Sequence, residues 1–193
     1  MFSSFFFNIF VIFYKFLSFS TGCYVFINFA MFCCEFCSLG GDILKYEIND
    51  ETLAIISLEN GTKVVELNDE YFVDESSYSI MERSCKYFGS SLDGRIDGSK
   101  DILGSVYKIP IIVEESQGII FFPTESISSP SVSWISYKNI KNVEKKGSKS
   151  LVRFNNDNFI VIDCPYFSMK NQIFRCNMLE AISSNRKINK KND

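Results

Sequence analysis

The sequence predicts an α+β domain: a strand-rich meander of antiparallel sheets with a short central helix and a C-terminal helix. Three observations predict it. Between residues 43 and 163 the apolar residues come in short runs rich in Ile, Val and Phe, bounded by turns built from Asn, Gly and Ser. Within that span, residues 79–88 repeat their apolar side chains at helical spacing. After Pro165 the helical spacing returns and lasts to about Ser184.

Taken in order, Ile43–Ile48, Leu53–Leu58 and Lys63–Leu67 are the first expected strands. Asn60-Gly61 joins the last two and signals a hairpin, because both residues tolerate positive φ. Tyr71–Val73 adds a short strand. Ser79-Ile80-Met81-Glu82 has capping-box spacing and is expected to start the central helix. Ile80, Met81, Cys85 and Phe88 share one face, Arg83 and Lys86 point away from it, and Gly89 is the expected C-terminal cap. Ser90–Gly104 is polar and glycine-punctuated, so a loop is expected there, with one short helical turn near Ser99–Leu103. Strands resume at Ile109–Glu114, Gly118–Thr124 and Val132–Glu144, the last broken near Lys138. Ser150–Phe154 and Phe159–Asp163 follow, joined by a tight turn over Asn155–Asn158. Pro165 opens the final helix, with Ile173, Phe174, Met178, Ala181 and Ile182 as its apolar stripe. Residues 186–193 form a polar tail.

The first forty residues differ from the rest. They hold twelve of the twenty phenylalanines and only two charges, Lys15 and Glu35. Residues 16–34 are uncharged, which is long enough for a transmembrane helix. The competing reading is an over-extended start: Phe, Ser, Ile, Asn, Tyr and Cys dominate when A/T-rich non-coding DNA is translated, and Met31 offers an internal first residue. The expected organisation is therefore a hydrophobic segment over 1–40, a domain over 41–185 and a tail over 186–193.

Charge is distributed unevenly about a net of −3. Residues 41–80 carry ten carboxylates against Lys45 and Lys63, whereas residues 134–193 carry twelve Lys/Arg against five carboxylates. That polarity suits one face for a polyanion. The chain has no histidine, which removes the usual general base and the commonest metal ligand, so neither an enzyme nor a metal or cofactor site is expected. The seven cysteines follow no framework. Cys34 and Cys37 form a lone C-x-x-C with no second pair at zinc spacing, and reduced thiols in a cytoplasm are expected.

The densest motif is Arg83-Ser84-Cys85-Lys86-Tyr87-Phe88-Gly89-Ser90-Ser91, followed by Gly94-Arg95. Gly89 and Gly94 have phosphate-loop spacing, but the loop lacks the Lys-Ser/Thr ending, and a helix precedes it where a strand is required. Cys85 lies on the apolar side with no histidine to activate it, so a buried structural thiol is expected. Arg83, Lys86 and Arg95 around a Ser/Gly loop remain candidates for phosphate contact, beside the plainer reading of a solvated helix end.

This motif resembles the signature of the competence transcription factor family, ComK, of low-GC Gram-positive bacteria. Ile109-Pro110-Ile111-Ile112-Val113, Phe121-Phe122-Pro123-Thr124 and Trp134-Ile135-Ser136 continue the likeness. Tyr46-Glu47-Ile48-Asn49 precedes it, and Phe154-Asn155-Asn156 and Asn171-Gln172-Ile173-Phe174-Arg175 follow. The likeness covers residues 43–180. It implies a non-enzymatic activator of DNA-uptake genes that binds double-stranded DNA at A/T-rich boxes, largely through the minor groove, as a homodimer or larger assembly. It also allows a contact with RNA polymerase. The degradation element read by a Clp adaptor is not apparent before Asp193, which puts adaptor control in doubt. The candidate DNA contacts are Arg83, Lys86 and Arg95 together with Lys138, Lys141, Lys145, Lys146, Lys149 and Arg153, while Trp134, Phe121 and Phe122 are expected in the core. The alternative is a membrane-anchored, non-enzymatic interaction module using residues 16–34.

Overall fold

The computed structural model describes residues 45–104 and 107–192, with side chains through Arg186. The hydrophobic segment, the Met31 start, the 16–34 span and the Cys34/Cys37 pair lie outside the described residues. Among the described residues no helix is long and apolar enough to cross a membrane.

The described chain is α+β, with nine antiparallel strands in two sheets and three helices. β1 (Thr52–Leu58) and β2 (Gly61–Glu66) form the expected hairpin, and β3 (Glu70–Val73) pairs with β2. The hairpin depends on Gly61, whose φ is +128°. A Cβ there would meet the Val73 carbonyl oxygen at 2.6 Å. Helices α1 (Ser77–Tyr87) and α2 (Leu92–Leu103) follow. The chain then forms β4 (Ile111–Glu114), β5 (Ile119–Pro123) and β6 (Trp134–Ser136), which complete a six-stranded sheet in the order β3-β2-β1-β6-β5-β4. β7 (Ile140–Lys146), β8 (Lys149–Phe154) and β9 (Phe159–Ile162) form a separate three-stranded sheet, and α3 (Tyr166–Asn192) ends the chain.

The large sheet separates two cores. On one face Ile55, Val64, Phe121 and Trp134 pack against Ile80, Met81 and Cys85 of α1. On the other, Ala54, Val65, Phe122 and Ile135 pack against the small sheet and against Met169, Cys176 and Leu179 of α3. β5 serves both cores, so all five of its residues are buried and it reads as an unbroken apolar run rather than an alternation. Phe121, Phe122 and Trp134 are fully buried, as expected.

Five expectations need correction. Residues 45–48 form no ladder. They keep the alternation of a strand, with Tyr46 and Ile48 buried and Lys45 and Glu47 exposed, but side chains hold them. Ile48 N donates to Ser84 Oγ at 3.0 Å, and the Tyr46 hydroxyl donates to Glu66. The central helix begins earlier than Ser79: Ser76 is its N-cap, accepting from Ser79 N at 3.1 Å. The Ser90–Gly104 loop contains a full twelve-residue helix, started by Ser91, which accepts from Gly94 N at 3.0 Å. Its glycines lower helix propensity, and tertiary packing of Leu92 and Ile96 overrides that cost.

The stripe of α3 is also rotated. Met169, Gln172, Cys176, Leu179 and Ser183 face the core, whereas Phe174, Met178 and Ala181 face outward. Gln172 is buried because its Nε2 donates to the carbonyls of Lys108 (2.6 Å) and Pro123 (3.2 Å), so a polar residue holds a core position. The helix also runs past Ser184, through the stretch expected to be a polar tail.

Candidate nucleic-acid interface

The Arg83–Arg95 motif folds into a tight corner between α1 and α2. At the end of α1, Gly89 takes φ +79°, Ser90 N donates to Cys85 O and Gly89 N to Lys86 O, both at 3.0 Å, which closes the helix in a Schellman turn. Glu82 spans the corner: one carboxylate oxygen accepts from Lys86 at 2.8 Å and the other from Leu92 N at 2.9 Å. These bonds hold the Glu82 carboxyl below the usual carboxylate range, the Lys86 bond contributing most. Cys85 is fully buried, and burial pushes its thiol up to about 11.

The corner also consumes its arginines. Arg83 donates to Glu75 Oε2 at 2.5 Å and to Tyr46 O at 2.8 Å, with its side chain only 24% exposed. Arg95 is half-buried and donates to Phe88 O at 3.1 Å, tying α2 back to the end of α1. Lys86 is exposed and paired with Glu82. Two helices joined by a glycine turn suggest a helix-turn-helix, but the exposed face of α2 carries Asp93, Asp97 and Asp101 at four-residue spacing. Carboxylates in a stripe oppose a phosphate backbone.

The second candidate cluster lies on the three-stranded sheet. β7 and β8 form a ribbon whose tip, Lys145-Lys146-Gly147-Ser148-Lys149, is wholly exposed, with Gly147 at φ +63° making the turn. Pairing fixes the faces, because opposed residues share a side. Val143, Val152 and Ile160 point inward to the second core. Three rows point outward: Asn142–Arg153–Phe159, Glu144–Leu151–Val161, and Lys146–Lys149 beside Asp163. Lys145 is opposed to buried Ser150 and so leaves the ribbon on the other side. A bulge displaces Lys141 towards the turn, where it pairs with Asp157 at 2.6 Å. Lys138 sits in the preceding loop and donates to Gln117 O at 3.1 Å.

Folding therefore separates what the sequence grouped. The signature corner and the basic ribbon belong to different cores. The ribbon's charge is also partly answered by carboxylates: Asp163, just after β9, lies 3.4 Å from Lys149, and Glu144 of β7 lies 3.9 Å from Arg153. Lys145 and Lys146 make no ion pair among the described residues. Sequence reasoning missed the outward apolar residues Phe159 (58% exposed) and Val161 (40% exposed). Their signal was present: β9 is apolar at every position, so its outer side could not be an ordinary polar face.

A family model described as ComK protein matches residues 43–188. The chain belongs to the ComK family. It is 32% identical over 136 residues to the competence transcription factor of Bacillus subtilis (strain 168), covering 68% of this chain and 71% of that protein. No solved structure matches. The ComK match spans both the corner and the ribbon, so both parts of the described fold lie within family sequence.

Proposed function

We propose that this protein is a cytoplasmic, non-enzymatic activator of competence genes that binds A/T-rich double-stranded DNA with the β7–β8 ribbon and the outer face of its sheet. The relative's role as a competence transcription factor supports the biological setting. The observation that carries the placement is the exposed ribbon tip, where Lys145, Lys146 and Lys149 lie within five residues on a projecting turn. Strands of other DNA-binding proteins lie against either groove, and lysines there meet phosphates without reading sequence. Arg153, on the outer face, has the side chain suited to the narrow, strongly negative minor groove of A/T tracts. The corner residues Arg83, Lys86 and Arg95 act as scaffold, and the absence of histidine fits a protein without catalytic chemistry.

The assembly is a homodimer built on the outer stripe of α3. Phe167, Phe174, Met178 and Ala181 recur at intervals of seven, four and three, the spacing at which two helices pack along a seam. Phe167 is 74% exposed and Phe174 64%. The stripe carries no charge at these four positions, so a second copy meets it without opposing like charges.

Competition binding with A/T-box and G/C-rich duplexes tests this function. Wild type prefers the A/T duplex, and Arg153→Ala narrows that preference while retaining binding. Equal affinity of wild type for the two duplexes would overturn the proposal.

A further inference from the structure

The outer face of the three-stranded sheet carries a feature that phosphate binding does not use. Phe159, Leu151 and Val161 form an apolar centre on a solvent-facing sheet, with Lys146, Lys149 and Arg153 around it. The Arg153 guanidinium lies 5.9 Å from the centre of the Phe159 ring, so a cation and an exposed aromatic are held side by side. An exposed apolar patch rimmed by charge marks a binding surface.

We propose that Phe159 is a wedge: its ring inserts at a base step of the A/T-rich duplex, partly unstacks it and bends the DNA, while Val161 and Leu151 cover the opened step. This rests on the DNA-binding function proposed above and adds a residue that contacts bases. The chemistry favours DNA as occupant. Apolar side chains flanked by cations are the equipment of proteins that pry open minor-groove steps, and a TA step at the junction or edge of an A/T tract is the easiest of these to unstack. The competing occupant is a second copy of this chain. Packing two such faces together would set the same three cations against one another, with only Glu144 and Asp163 on the face to answer them. The uncharged stripe of α3 has no such cost.

The test uses the full chain and an A/T-rich duplex carrying 2-aminopurine at successive steps, whose fluorescence rises on unstacking, and a second duplex end-labelled for energy transfer, which reports bending. Wild type raises the fluorescence at one step and shortens the end-to-end distance. Phe159→Ala loses both signals and about tenfold in affinity, with the same melting temperature and the same salt dependence of binding. Phe159→Leu, which keeps an apolar wedge, restores part of the signal. Wild-type binding without a fluorescence rise at any step overturns the wedge but leaves the sheet as a phosphate-binding surface. A loss of dimer in sedimentation of Phe159→Ala assigns the face to a second copy and also overturns it. If Lys145→Ala with Lys146→Ala leaves the salt dependence unchanged, the DNA surface itself is misplaced and the wedge falls with it.

Discussion

Cys85 shows how misleading a single reactive residue is. Beside Arg83 and Lys86 it has the sequence neighbours of an activated thiol, yet it is fully buried and its ionisation is suppressed by desolvation. Iodoacetamide at pH 8 should leave Cys85 unmodified in the native protein and modify it on unfolding, as read by peptide mapping. Cys85→Ser should lower stability by about 1–3 kcal/mol, because a hydroxyl replaces an apolar thiol at a buried site. DNA affinity of the folded fraction should be unchanged. Arg83 belongs to the same class of residue: Arg83→Ala removes two hydrogen bonds and strands Glu75, a cost of about 2 kcal/mol in denaturant melts. Sequence showed that Cys85 faced the core, since helical spacing decides that. It could not show that Arg83 turns inward, because its partners lie 8 and 37 residues away.

At the scale of elements, most strands were legible and one helix was not. The Asn60-Gly61 turn and the Asn155–Asn158 turn fix their hairpins locally, so pattern alone finds them. α2 was hidden because Gly94, Gly98 and three aspartates lower its propensity, and only contacts with the first core stabilise it. The two glycines are not equivalent. A Cβ at Gly98 meets nothing within 4 Å, whereas at Gly94 it would lie 3.1 Å from Ser90 Oγ and 3.2 Å from Ser91 Oγ. Gly98→Ala should therefore stabilise the protein by about 1 kcal/mol, and Gly94→Ala should gain less or lose stability. Glu82 links this corner to pH. Its folded pKa is lowered, so its stabilisation is present above the ordinary value of 4.5 and is lost as pH falls through the lower folded value. Glu82→Gln should melt earlier than wild type at pH 7, with the gap closing on acidification below that range. The stripe of α3 was misjudged for a different reason: two apolar stripes share one helix, and periodicity does not say which faces the core.

At the scale of the whole molecule, folding redistributes the charge. The sequence grouped Lys138, Lys141, Lys145, Lys146, Lys149 and Arg153 as one basic cluster, but the fold brings Asp157 and Asp163 beside it and sends Lys145 to the opposite side of the ribbon. Charge contrast along a sequence therefore overstates the strength of a basic region whose carboxylate partners come from other parts of the fold. The outer stripe of α3 makes a separate prediction: Phe174→Glu should convert a dimer to a monomer in sedimentation with an unchanged circular dichroism spectrum, since the ring is 64% exposed. The central claim is that DNA meets the β7–β8 ribbon while the signature corner is scaffold. Fluorescence anisotropy on one A/T-rich duplex, titrated across salt, tests it most directly with wild type, Lys145→Ala plus Lys146→Ala, and Lys86→Ala. Each lost phosphate contact flattens the slope of log K against log salt by about 0.9. The account predicts a slope flatter by about 0.9 in the double variant, from Lys146 on the outer side, and no change for Lys86→Ala. A flattened slope for Lys86→Ala with an unchanged slope for the ribbon variant would contradict it.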